Sequence, residues 1–178
     1  MNVPNIVTMI RILLVPVIVI FLIDNQHLPA LLVFMVAGIG DGLDGYLARA
    51  LNQKTALGAF LDPLADKLLL TTTYIVMAFY HMAPGWLAVM VASRDLLIIS
   101  GLAVLAWNSH FPDMHPTLDS KITTLLQIVT MTFLLGKNYL SGLEWLEVLL
   151  LVATGVFTFG SGLRYIFIGF HQIDRHQS

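Results

Sequence analysis

Apolar residues run along this chain in long, nearly unbroken stretches, and polar residues fall in short clusters between them. A helix crossing a bilayer needs ~20 mostly apolar residues. Six stretches meet that length: Ile6–Ile23, Leu28–Leu51, Leu57–Met82, Pro84–Trp107, Leu118–Leu140 and Leu143–Phe170. The connections "DNQH", "NQKTA" and "SG" are brief, and one polar stretch, "NSHFPDMHPT", is longer. No linker, low-complexity tract or repeat interrupts the series. The pattern predicts an all-α, polytopic membrane protein with six transmembrane helices in a single bundle, forming one domain over residues 1–178. The opening "MNVPNIVTMIRILLVPVIVIFLI" lacks a basic start and a small-residue cleavage site, and its apolar run is too long for a signal peptide. It is read as a retained first helix.

Composition agrees with the pattern. Only 11% of residues are charged and 57% are hydrophobic, with a mean hydropathy of +0.82. Soluble domains carry roughly 25% charged residues, so a soluble core of this size would be short of polar surface. A net charge of −2 offers nothing to a nucleic acid, and the absence of cysteine excludes disulfides and thiolate chemistry. With six spans, both termini and the second-to-third and fourth-to-fifth links share one side. That side holds Arg49, Lys54, Lys121 and Arg175, against Lys137 opposite, which makes it cytoplasmic.

Against this background "GDGLDGYLARALNQKTALGAFLDPLADK", Gly40 to Lys67, is unusually charged. An ionisable group inside a membrane segment costs ~2.5–3.5 kcal/mol on insertion scales, so such groups face an interior or a watery cavity. On a helix Asp41 and Asp44 share a face with Gly45 and Ala48. On the next helix Gly58, Asp62 and Asp66 recur at i+4 and form a second stripe. Two such stripes facing each other make a pocket. Four converging carboxylates need countercharge. Arg49 and Lys67 supply some of it, and a pair of Mg²⁺ or Mn²⁺ ions supplies it better, with a diphosphate as the natural ligand. The plainer reading of Gly45, Ala48 and Gly58 is helix packing, and that of Arg49 and Lys54 is snorkelling at the interface. The four aspartates have no comparable structural explanation.

Asp41-Gly-Leu-Asp44-Gly45-Tyr-Leu-Ala48-Arg49, then eight residues, then Gly58-Ala-Phe-Leu-Asp62-Pro-Leu-Ala-Asp66, resembles the signature of the CDP-alcohol phosphatidyltransferases. Average residue usage gives such a match about once in 10¹⁰ starting positions. The likeness extends over essentially the whole chain. It implies a metal-dependent enzyme in the cytoplasmic membrane of a bacterium, working on a CDP-linked lipid from the cytoplasmic side. By the resemblance, Asp41, Asp44 and Asp62 are metal ligands. Asp66 lies close to the second ion and is the general base for the acceptor hydroxyl. Gly45, Ala48 and Gly58 border the CDP-lipid, with Arg49 near its phosphates. A homodimer is expected on the same ground.

Three cations elsewhere bear on the acceptor. Arg94 lies well inside the fourth helix, Lys121 opens the fifth and Arg164 lies late in the sixth. Asp95 is next to Arg94 but does not share its helical face well. Family members with phosphorylated acceptors have a basic pocket in comparable positions, which assigns Arg94, Lys121 and Arg164 to an acceptor phosphate. Arg11, in "PNIVTMIRILLVP", resembles the start of the branches whose acceptor is glycerol 3-phosphate or phosphatidylglycerol. Thr123 stands where the first branch usually carries a second lysine, and "PTLDSKITTLLQ" resembles the second. Glycerol 3-phosphate is kept ahead, because small chains of this pattern more often use it. A transporter or proton relay would also hold membrane carboxylates, but inverted repeats are not evident. The six histidines form no ligand set, and Glu144 and Glu147 suit a helix N-terminus.

Overall fold

Each of the six apolar stretches forms a helix: α1 Val3–Ile23, α2 His27–Ala50, α3 Ala56–Phe79, α4 Gly85–Trp107, α5 Leu118–Gly136 and α6 Glu144–Asp174. A 3-10 turn, Lys137–Tyr139, follows α5. This computed structural model describes the backbone of residues 3–50, 56–107, 118–139 and 142–174, and side chains within 8–40, 64–100, 119–139 and 142–167.

Local hydrogen bonding sets the helix ends. Asn25 takes φ 57°, its N–H donates to the Leu22 carbonyl at 3.1 Å, and the Gln26 N–H donates to Phe21 at 2.8 Å. This left-handed cap satisfies the last carbonyls of α1. The same arrangement ends α3, where His81 also has φ 57° and donates to Ala78 at 3.1 Å, while Met82 donates to Met77 at 2.8 Å. Met82 is therefore part of the cap, and α3 stops at Phe79 instead of running to the predicted Met82. Pro84 precedes the first turn of α4 and accepts from the N–H groups of Leu87 and Ala88.

The helices close into a ring. α1 packs on α2 and α3, α3 on α4, α4 on α6, α6 on α5, and α5 on α2. α3 also touches α5 across the middle. Among the described residues α2 and α3 do not meet, and α1 lies against both. The centre is filled by Ile18, Leu22, Phe34, Leu69, Tyr74, Met77, Leu87, Met131 and Leu135.

Polar side chains are also inside. Thr123, Gln127 and Thr130 of α5 and Thr154, Thr158 and Ser161 of α6 are all buried, and each set falls on one helical face. Thr130 and Thr154 share a 2.6 Å hydroxyl contact, Gln127 Nε2 donates to Thr158 Oγ1 at 3.2 Å, and Thr123 donates to the Phe157 carbonyl at 3.2 Å. Tyr74 adds a 2.8 Å bond to the Gln127 carbonyl from α3. The α4–α6 approach is equally close. A Cβ on Gly155 would lie 2.8 Å from the Trp86 ring, so a larger residue there would have to displace that ring.

The outer surface is the apolar one. Leu13, Val36, Phe79, Val89, Leu125 and Val148, one on each helix in turn, are exposed, with many others beside them. Among the described residues, Glu144–Phe167 is the helix long and apolar enough to cross a membrane, and Thr8–Ile23 and His27–Gly40 are apolar but shorter.

Candidate active site

The site forms where α1, α3, α4 and α5 come together. Arg11 on α1 is 2% exposed, and its Nη1 donates to Asp66 Oδ1 on α3 at 2.5 Å. Asp66 itself is partly open, with its side chain 38% exposed. It lies on the shared wall of two cavities. One, of about 280 Å³, is mostly apolar and is lined by Phe34, Met35, Ile39 and Leu69 along with Arg11 and Asp66. The other, of about 440 Å³, is lined by Asp66, Lys67, Arg94, Asp95, Ser120 and Lys121. Leu70, Thr124 and Ile128 border both.

The larger cavity has a cationic wall built from three helices. Arg94 on α4 donates through Nη1 to Asp95 Oδ1 at 2.8 Å, and through Nη2 to Ser120 Oγ on α5 at 2.7 Å. Lys67 on α3 brings its Nζ within 3.6 Å of the same Asp95 oxygen. Thr71, one turn further along α3, donates to Asp95 Oδ2 at 3.0 Å. Lys121 is exposed at the cavity edge.

The predicted residues are distributed as follows. Asp66, Arg94 and Lys121 line one cavity. Arg164 does not line it; it pairs with Asp119, the neighbour of Ser120, with its side chain 58% exposed. The side chains of Asp41, Asp44, Gly45, Ala48, Arg49, Gly58 and Asp62 lie outside the described residues. Their backbone is helical in α2 and α3, so the one-turn spacing of Asp41 with Asp44 and of Asp62 with Asp66 is helical spacing. Among the described residues, no group of three or more metal-ligating side chains occurs.

One expectation fails. Asp95 does pair with Arg94, although neighbours on a helix point about 100° apart. Both side chains turn into the ring, and the long guanidinium reaches sideways across the gap between α3 and α5. Lys67 likewise lies against Asp95 and so is placed to offset that carboxylate. Sequence reasoning gave Arg11 and Asp95 no role in the site. A lone arginine in the first apolar helix already required an acidic partner, but its identity depends on α1 lying against α3.

The chain matches the sequence model of the CDP-alcohol phosphatidyltransferase family over residues 1–159. The protein belongs to that family. The match includes all four aspartates, Arg94 and Lys121, and stops short of Arg164. The CDP-diacylglycerol--glycerol-3-phosphate 3-phosphatidyltransferase of Bacillus subtilis is 34% identical over 77% of this chain and 78% of its own length. The protein of that name from Wigglesworthia glossinidia brevipalpis is 30% identical over 99% of both chains. A cardiolipin synthase (CMP-forming) of Rattus norvegicus is 35% identical over 72% of this chain and 48% of its own length, so this family member spans about half of that relative.

Proposed function

We propose that the protein transfers the phosphatidyl group of CDP-diacylglycerol to glycerol 3-phosphate, releasing CMP and forming phosphatidylglycerophosphate. The observation that carries this reading is Asp66, a carboxylate open to a cavity whose other wall is cationic. At about 440 Å³ the cavity falls within the roughly 300–1,000 Å³ of small-ligand sites. An acceptor phosphate on Arg94 and Lys121 would turn its hydroxyl toward Asp66. Arg164 could join them on release from Asp119. Asp66 would take the hydroxyl proton as the oxygen forms its bond to the phosphatidyl phosphorus and the bond from that phosphorus to CMP breaks. Arg11 would hold the carboxylate in place for that transfer.

The residues present suit a divalent-metal pair. All four acidic side chains of the signature are hard oxygen donors, α2 and α3 carry them at one-turn spacing, and Asp66 opens onto the cleft. Asp41, Asp44, Asp62 and Asp66 would hold two Mg²⁺ or Mn²⁺ ions, whose chemistry is to offset the charge of the diphosphate and of the departing CMP. Gly45, Ala48 and Gly58 would let the CDP-lipid approach the helix backbones closely, with Arg49 near its phosphates.

We place the helices across a bilayer. Apolar side chains cover the outside of all six, while Arg11, Arg94, Asp95 and the threonines are inside. That is the distribution a lipid solvent favours and water penalises. By the positive-inside rule the cationic helix ends would lie in the cytoplasm, with Asp66 toward that side, and family likeness suggests a homodimer.

One observation favours phosphatidylglycerol as acceptor instead. Thr123 packs against α6, where branches using glycerol 3-phosphate carry a second lysine, and the apolar cavity sharing Asp66 would suit an acyl-bearing acceptor. The test is to give the purified protein CDP-diacylglycerol with each acceptor separately and to identify the lipid formed. Phosphatidylglycerophosphate is expected. Cardiolipin alone would reassign the acceptor, and CMP from neither would refute the reading.

A further inference from the structure

Asp95 has no part in the reaction just outlined, yet at the larger cavity it ties together Arg94, Lys67 and Thr71. It is 3% exposed. Its Oδ1 lies 2.8 Å from Arg94 Nη1 and 3.6 Å from Lys67 Nζ, and its Oδ2 accepts from Thr71 at 3.0 Å. Lys67 and Thr71 are one turn apart, so two groups of α3 receive a single carboxylate of α4. Arg94 has both terminal nitrogens on fixed partners, Asp95 and Ser120. The guanidinium cannot swing without breaking one of them.

Each of these cations keeps a buried donor without a hydrogen-bond acceptor among the described residues: Arg94 Nε, and Lys67 Nζ, whose neighbour Asp95 lies at ion-pair distance only. Buried donors are nearly always satisfied, and leaving one unmet is unfavourable. Two cations around one carboxylate also leave that wall with surplus positive charge. The oxygens of a phosphate supply both the missing charge and the missing acceptors.

From this geometry we infer that Asp95 is a positioning residue for the acceptor's phosphate: it sets Arg94 and Lys67 at fixed places on the cavity wall and leaves Lys67 to close on the anion. The inference rests on reading the cavity as the acceptor site.

Steady-state kinetics of the full chain in lipid–detergent micelles with Mg²⁺ test it, varying each substrate at saturating levels of the other. Asp95→Asn keeps the shape and can still accept from Thr71, but it loses the charge. The KM for glycerol 3-phosphate should rise about tenfold or more. The KM for CDP-diacylglycerol should stay within about twofold, and Asp95→Glu should recover part of the loss. Lys67→Met should give the same one-sided rise, and it decides the matter if Asp95→Asn does not fold. An unchanged KM for glycerol 3-phosphate in the folded variants overturns the inference. Equal losses on both substrates overturn it too, by making Asp95 an interhelical tie only. The wild-type protein checks the parent reading separately. If it takes phosphatidylglycerol instead, the one-sided rise is expected for that phosphodiester. If it releases CMP with neither acceptor, the role of Asp95 falls with the proposed reaction.

Discussion

Arg11 and Asp66, 55 residues apart in sequence, meet at 2.5 Å between α1 and α3. The arginine is buried, whereas the aspartate opens onto two cavities. A buried cation on one helix therefore fixes the rotamer of a carboxylate on another while leaving that carboxylate within reach of a ligand.

Arg11→Met should lower kcat about tenfold or more, with the KM for glycerol 3-phosphate changed far less, because a misplaced base loses rate and not acceptor binding. Arg11→Lys should recover part of the rate. Stability should fall by about 1–3 kcal/mol, less than for a fully enclosed pair because Asp66 is partly solvated. Initial rates and thermal unfolding of the two variants check this.

Asp66→Asn preserves the shape and removes the proton acceptor. Transfer should fall by about 10²–10⁴, while binding of CDP-diacylglycerol largely survives. Equilibrium binding of the CDP-lipid separates the two roles. Complete loss of binding by a well-folded variant would make Asp66 chiefly a ligand.

Removal of divalent ions should stop the reaction, and Mg²⁺ or Mn²⁺ should restore it, since carboxylate-rich sites select hard cations. Assays in excess chelator, followed by metal titration, read this directly. Unaffected turnover in chelator would refute the metal pair.

The threonine ladder makes a prediction about stability. Thr130→Val leaves the Thr154 hydroxyl without its 2.6 Å partner and should cost about 0.5–2 kcal/mol. Changing both residues to valine should cost less than the sum of the single changes, because no polar group is then left behind. Thermal unfolding of the two single variants and the double variant, in one detergent, measures the coupling.

The helices were legible because long apolar runs separated by short polar clusters leave few alternatives. Their ends were less so: Asn25 and His81 adopt left-handed caps that no hydropathy pattern signals. Asp66, Arg94 and Lys121 were readable as site candidates because charged groups stand out in so apolar a chain, and the fold brings all three to one cavity. Their partners were not readable. Arg94 with Ser120, Lys67 with Asp95 and Arg164 with Asp119 all follow from the neighbour order α1–α2–α5–α6–α4–α3, which depends on helix packing and not on any local pattern.

The most direct test of a transferase centred on Asp66 is CMP release from protein preloaded with CDP-diacylglycerol and Mg²⁺, followed before and after glycerol 3-phosphate is added. The account predicts little CMP before the addition, then CMP and phosphatidylglycerophosphate in equal amounts. CMP appearing at the same rate without acceptor, or not appearing after either glycerol 3-phosphate or phosphatidylglycerol is supplied, would contradict it.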